Sequence, residues 1–302
     1  MLNSGQSVKK KVILHCGAPK TATSSLQSIL LKMKQDLMDQ GVFYMERRPF
    51  KGEKYKIHQA FILAKTGRED VAPARAADCL ENVFEASGAH TLLLSNESVL
   101  HDPLLEDHRN FYPRMEEIAE RLKDMFKDYD LHIRFMIRNQ ADHLPSYYTQ
   151  RVRQGLTCNL NDYAHCFDLE NLRWSGFIDR LKNQFGADKV HYNCFENYRQ
   201  DTPATIKALF PEITHISLAD ADTHKNASPS AFALDYMRHY NNLLDKLFGS
   251  NKTLRHKMQR NLREKQFPIL ERLFWGKKLK LDPDLYDKLS SLYQKDRHDL
   301  NI

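Results

Sequence analysis

Four short apolar runs recur along this chain, with stretches of helical spacing between them. They are Lys11–Cys16 (KVILHC), Thr91–Ser95 (TLLLS), Leu131–Ile137 (LHIRFMI) and Lys189–Phe195 (KVHYNCF). Short runs of this kind, lacking strict polar alternation, mark strands buried on both faces. Between them, Ser24–Met38 places Leu26, Ile29, Leu30, Met33 and Leu37 on one helical face, and Tyr112–Phe126, Ala141–Arg153 and Leu172–Phe185 also read as helices. Strands separated by helices predict an α/β fold, a three-layer parallel sheet with crossover helices on both faces.

After about Ala219 the strand signal ends, and Ser228–Phe248 and Asp282–His298 predict a helical C-terminal cap. There is no repeat, low-complexity tract or Gly/Ser-rich linker. The expectation is one domain over residues 1–302, with 11–230 as the α/β core and 231–302 as a helical extension. A hydrophobic share of 41%, with 16 Phe and 13 Tyr, is enough to fill such a core.

No apolar run approaches the ~18 residues of a membrane span. Val12-Ile13-Leu14 is too short for a signal-peptide core, which predicts a cytoplasmic product. The net charge, 45 − 39 = +6, suits an anionic substrate or nucleotide and falls short of a nucleic-acid-coating protein. Five cysteines (Cys16, Cys79, Cys158, Cys166, Cys194) are odd in number and lack CxxC spacing. Neither a disulfide framework nor a structural metal site is expected.

The segment after the first strand carries the most chemistry: Gly17-Ala18-Pro19-Lys20-Thr21-Ala22-Thr23-Ser24-Ser25. A loop of small residues opening a helix exposes backbone N–H groups at the positive end of the helix dipole. Thr21, Thr23, Ser24 and Ser25 add hydroxyl donors, and Lys20 adds a point charge. One of these hydroxyls could simply cap the helix, but a cap needs one residue and four are present. The loop predicts a cradle of phosphate or sulfate size. It is neither GxxxxGK[ST] nor GxGxxG, and Ala22 stands where a glycine would be expected.

Pro19-Lys20-Thr21-Ala22-Thr23-Ser24 resembles the 5′-phosphosulfate loop of the sulfotransferases, approximately PK[ST]GT[TS], with Ala22 in the glycine position. Helical backbone angles there would let the extra methyl be accommodated. A second segment agrees: Arg138 ends the third strand and Ser146 follows eight residues later, the spacing of the family's 3′-phosphate motif, continuing SYYTQRVRQG to Gly155. An Arg fork binds phosphate bidentately and a hydroxyl adds a further donor. Val190–Asp201 (VHYNCFENYRQD) resembles a third family segment, in which Glu196 is expected to satisfy backbone donors. The resemblance covers roughly residues 11–230.

It implies transfer of a sulfuryl group from 3′-phosphoadenosine 5′-phosphosulfate (PAPS) to a hydroxyl or amine, without a metal. In that scheme Lys20 neutralises the leaving phosphate, the loop from Lys20 to Ser25 (Ala22 included) holds the phosphosulfate, and Arg138 with Ser146 holds the 3′-phosphate. The family's base lies shortly after the strand beside the loop, where Glu97 is the first titratable residue and His101 the alternative. Lys225, Asn226 and Ser228 are candidates for a loop over the nucleotide, though Ser228-Pro229 equally reads as a helix start. Lys252–Lys280 holds ten Lys/Arg against Glu264 and Glu271, with Phe267, Ile269, Leu270, Leu273, Phe274 and Trp275 interleaved. It reads as a solvated helix face, or as a surface for an anionic saccharide or for peripheral membrane contact. The acceptor expected is a small molecule or saccharide, with a carbohydrate or glycolipid hydroxyl favoured. Two rivals stay open: a P-loop small-molecule kinase, and a catalytically silent relative that binds PAPS or an anionic glycan.

Overall fold

The computed structural model describes residues 9–45, 56–57, 59–62, 72–97, 99–100, 111–216, 230–248, 251–262, 264, 269 and 277–302. Among the described residues, five strands form one parallel sheet: β1 (Lys11–Gly17), β2 (Val42–Met45), β3 (Thr91–Ser95), β4 (Asp130–Ile137) and β5 (Val190–Cys194), in the order β2-β3-β1-β4-β5. The register places Val12 beside Leu92 and Leu131, and Leu14 beside Leu94 and Ile133. Alternate side chains enter opposite layers: Val12, Leu14, Leu92 and Leu94 join one apolar cluster, Ile13 and Leu93 the other. That burial on both faces is why these strands read as continuous apolar runs. The expected three-layer α/β architecture is what the chain adopts.

One layer is built by α1 (Thr23–Lys32), α2 (Lys34–Asp39), α8 (Phe195–Gln200) and α9 (Thr202–Leu209), through Leu26, Leu30, Leu37 and Leu209. The other contains α3 (Ala72–Ser87), α4 (Met115–Met125), α5 (Gln140–Arg153), α6 (Leu160–His165) and α7 (Trp174–Phe185). The helical C-terminus supplies α10 (Ala231–Phe248), α11 (Lys252–Asn261) and α12 (Pro283–Leu300). Two expectations change. The single helix expected over Ser24–Met38 is two, interrupted at Met33, and β2 is a strand that the apolar runs did not reveal.

Local chemistry sets several boundaries. Asn139 caps α5 by accepting from the Ala141 N–H at 2.9 Å, and Asp282 caps α12 by accepting from Asp284 N–H, with Pro283 as its first residue. Asn301 ends α12 in the left-handed conformation. The core helix α7 has no cap from its own neighbour Arg173; its first N–H groups reach instead to Asp296 on α12.

The strand order changes direction at β1, whose neighbours β3 and β4 are reached from opposite sides. In open parallel sheets the crevice beyond the carboxyl ends of the strands at such a switch point is where ligands bind. The loop after β1, Glu97 after β3 and Arg138 after β4 all leave the sheet at that edge.

Candidate functional site

Gly17 ends β1, and the loop curls back over it. A Cβ there would lie 3.3 Å from Thr21 Oγ1 and 3.5 Å from Thr23 Cγ2, so the loop packs closely over Gly17 and would have to give by a few tenths of an ångström to take a side chain. The Ala18 N–H donates to Met136 O at 3.1 Å, tying the loop to β4. Two non-glycine residues then take left-handed backbone angles, Lys20 at φ 70° and Ala22 at φ 60°, ψ 25°. Ala22 therefore departs from the right-handed helical angles under which its methyl would sit without strain, and it has the conformation that favours glycine.

Ala22 is the N-cap of α1, and no side chain caps the helix or places an acid in its first turn. The first-turn amides thus point out of the helix end with the dipole's positive pole behind them. The hydroxyls are less available than their number suggests. Thr21 is fully buried and donates to Ala18 O at 2.6 Å, so its side chain faces inward. Thr23 donates to a carboxylate oxygen of Glu97, and Ser25 pairs with the Tyr198 hydroxyl at 3.0 Å. Ser24 is exposed at the helix mouth.

Glu97 reaches this position because the end of β3 is fixed to its neighbours. The Asn96 N–H donates to His15 O at 2.8 Å, and Ser95 Oγ takes a hydrogen bond from Gln27 Nε2 at 2.9 Å. The carboxylate so placed faces the start of α1.

Arg138 joins the second motif to the first. Its Nη1 donates to the Lys20 carbonyl at 2.8 Å, and its guanidinium lies over the Phe195 ring at 4.8 Å. Burial lowers its pKa, with Asp142 and Glu196 working against that and Arg199 adding to it. Lys20 exposes part of its surface, yet its ammonium is held below the ordinary lysine value. Desolvation is the main cause, followed by the Arg153 guanidinium; Glu97 opposes the shift and Arg138 reinforces it. Lys20, Arg138 and Arg153 thus form a cationic cluster around the loop, with the Glu97 carboxylate near Lys20 and those of Asp142 and Glu196 near Arg138.

Arg153 is the residue sequence reasoning passed over. It ends α5, seven residues beyond Ser146, a spacing that returns to the same helix face. Ser146 is half-buried on α5, six residues after its start, roughly 9 Å along the axis. Beneath the loop, His143 is buried against Tyr147 and Trp174, and burial followed by the Arg138 charge lowers its pKa to about 3. It is a neutral packing residue at physiological pH. Glu196 accepts the Asn139 N–H at 3.1 Å.

The structure therefore brings together Lys20, Thr23, Ser24, Ser25, Glu97 and Arg138, and turns the Thr21 hydroxyl away. His101, Lys225, Asn226 and Ser228 lie outside the described residues. So do most apolar residues of the basic segment: Phe267, Leu270, Leu273, Phe274 and Trp275. Of that segment, Arg255 pairs with Asp245 at 2.6 Å, while Lys257 and Arg260 are exposed on α11. Among the described residues, no helix is long and apolar enough to cross a membrane.

No protein-family model matches this sequence, and no curated protein sequence matches it. Among the solved structures similar to it are three sulfotransferases. One is a sulfotransferase from Alicyclobacillus acidocaldarius, at 16% identity over 84% of this chain and 100% of that one, with a TM-score of 0.43. Another is the sulfotransferase domain from the curacin biosynthetic pathway, at 13% identity over 71% of this chain and 80% of that one, with a TM-score of 0.38. The third is mouse sulfotransferase SULT7A1 complexed with PAP, at 12% identity over 96% of this chain and 86% of that one, with a TM-score of 0.40.

Proposed function

We propose that this chain is a PAPS-dependent sulfotransferase. The observation that carries the reading is the hydrogen bond from Arg138 Nη1 to the Lys20 carbonyl, 2.8 Å long, which joins two anion-binding motifs 118 residues apart into one site. A nucleotide with phosphates at both its 5′ and 3′ positions needs two such groups on one crevice.

In this reading the amides at the start of α1 and the Ser24 hydroxyl hold the phosphosulfate, with Thr23 and Ser25 at the same mouth. Thr21 and Ala22 contribute backbone only. Arg138 and Ser146 take the 3′-phosphate. The acceptor hydroxyl attacks sulfur in line as the bond from sulfur to the bridging oxygen breaks. Its proton passes to the Glu97 carboxylate, while Lys20 neutralises the charge gathering on the bridging oxygen and 5′-phosphate. The products are a sulfate ester and 3′,5′-adenosine bisphosphate. Lys20 and Glu97 suit these parts because each lies within electrostatic reach of the other at the helix mouth. No metal is required by the scheme, and a cytoplasmic location goes with it.

The acceptor in this reading is a carbohydrate or glycolipid hydroxyl, with an amine as the variant. The exposed Lys257 and Arg260 on α11 lend support, as does the outer face of α10, where Phe232, Tyr236, Leu243 and Leu247 are exposed along one stripe. An exposed apolar stripe on one helix and exposed cations on the next suit peripheral contact with an anionic bilayer carrying such an acceptor.

Calorimetric titration with 3′,5′-adenosine bisphosphate in EDTA, repeated with ATP and with Mg·ATP, tests the reading. Metal-independent binding of the bisphosphate with weak ATP binding is expected. Preference for Mg·ATP would replace the sulfotransferase by a P-loop kinase. Bisphosphate binding without turnover over a panel of saccharide, glycolipid and amine acceptors would favour the silent relative.

A further inference from the structure

The C-terminal helix α12 carries none of these motifs, yet it holds the backbone that follows Arg138. Asp296 is fully buried and accepts five hydrogen bonds: from Gln140 Nε2 at 2.6 Å, Arg173 Nε at 2.8 Å, Trp174 N–H at 2.9 Å, Ser175 N–H at 3.1 Å and Ser175 Oγ at 2.8 Å. A carboxylate offers about four lone-pair positions, so this one is saturated. Through it the start of α7 is fixed, and Trp174 Nε1 in turn donates to the Arg138 carbonyl at 2.7 Å. One turn earlier on α12, the Tyr293 hydroxyl donates to Glu196 Oε2, while Glu196 Oε1 accepts the Asn139 N–H at 3.1 Å. The carbonyl of residue 138, the amide of 139 and the side chain of 140 are therefore each anchored, directly or through one residue, to α12.

This is more than a helix needs in order to pack. Leu289, Leu292 and Leu300 already bury an apolar face against the core. A buried charge is costly and has to be fully partnered, and hydrophobic replacement of such groups is often neutral for stability. The polar pair instead defines where one short backbone segment sits, and that segment carries the guanidinium which reaches the Lys20 carbonyl.

We propose that Tyr293 and Asp296 are positioning residues for Arg138, and that α12 thereby sets the preference for a nucleotide bearing a 3′-phosphate. The proposal rests on the nucleotide reading above. It assigns the selectivity of the crevice to residues that do not touch the ligand.

Two nucleotides isolate the effect, because 3′,5′-adenosine bisphosphate and adenosine 5′-phosphate differ only in the 3′-phosphate. Both are titrated calorimetrically into the wild type, Tyr293→Phe and Asp296→Asn, each checked for folding by circular dichroism. The wild type should prefer the bisphosphate. Each variant should lose about threefold to tenfold of that preference, the worth of one net hydrogen bond, while its affinity for the monophosphate holds. An unchanged preference in the variants overturns the proposal and leaves the nucleotide site standing. A parallel loss for both ligands also overturns it, since it would make α12 a stabilising element alone. A wild type without preference for the bisphosphate removes the nucleotide reading and this proposal together. Should Asp296→Asn fail to fold, Tyr293→Phe decides, because it removes one hydroxyl and leaves the ring in its apolar contacts.

Discussion

Ala22→Gly tests the loop's backbone by the sign of a stability change. Ala22 sits at φ 60°, ψ 25°, where an L-residue carries a cost of roughly 1–2 kcal/mol that glycine does not. Against this gain, glycine widens the unfolded ensemble by about 0.4–1 kcal/mol. The half-buried methyl that packs beside the α1 layer is worth about half of the 0.8 kcal/mol of a buried carbon. The balance is a small gain of about 0.5 kcal/mol or near neutrality. With right-handed angles there would be no strain to relieve, and the same substitution would cost about 1–1.5 kcal/mol. Ala119→Gly provides the scale, because Ala119 is fully buried inside α4 and should lose about 2 kcal/mol. Urea denaturation of the three proteins at 25 °C separates the cases. A loss at Ala22→Gly of more than about 1 kcal/mol would refute the left-handed loop.

Lys20→Ala should lower turnover by about a hundredfold or more, with a much smaller loss in bisphosphate affinity, measured by steady-state sulfation against calorimetry. Equal losses in both would deny it a role specific to the transition state. Glu97→Gln keeps the shape and an acceptor oxygen for Thr23, so nucleotide affinity should hold while turnover falls by about a hundredfold. Stability should also depend on pH through buried histidines. Burial lowers His15 to about 4 and His143 to about 3 from 6.5, and lowers His191 in the same direction. Folded values below the unfolded one mean that stability is fully present above about pH 6.5 and is lost as the unfolded chain takes up protons below it. Near pH 5 the slope should approach ~1.4 kcal/mol per pH unit for each of His15 and His143. Carboxylates such as Glu117, held at about 2 mainly by Arg114, add their loss as the unfolded chain titrates around the ordinary 4.5, so urea denaturation between about pH 6.5 and 5.5 isolates the histidines. A flat profile there would contradict their burial.

Much of the fold is legible because its signals are local. In β1, Val12 and Leu14 enter one layer and Ile13 the other, so three consecutive positions are apolar and the run is visible in the sequence. The edge strand β2 is four residues long and, among the described residues, pairs with β3 alone, which is too little sequence to distinguish it from the end of the preceding helix. The interruption at Met33 has neither proline nor glycine to mark it. The same division holds at the crevice. Lys20, Glu97 and Arg138 each follow directly from a strand end, so their placement at one sheet edge is implied by the parallel topology. The conformation of Ala22 was not, because a methyl group says nothing about the sign of φ. Arg153 stands fifteen residues beyond Arg138, and only the path of α5 past the loop brings its charge to Lys20.

One non-local signal was present and readable in principle. On α12 the buried face is Leu289, Leu292, Tyr293, Asp296 and Leu300, which follows i, i+3, i+4, i+7 and i+11. Asp296 thus occupies a position where the helical period demands an apolar residue. A carboxylate on the core side of an otherwise amphipathic helix implies a set of donors waiting for it, since its burial is tolerable only when it is fully partnered. What the period cannot supply is their identity, because Gln140, Arg173, Trp174 and Ser175 come from two other helix starts more than a hundred residues away. The exception to the pattern is therefore the informative residue. The leucines of α12 report that the helix packs, whereas Asp296 and Tyr293 report on what it holds in place, and the backbone they hold is that of Arg138.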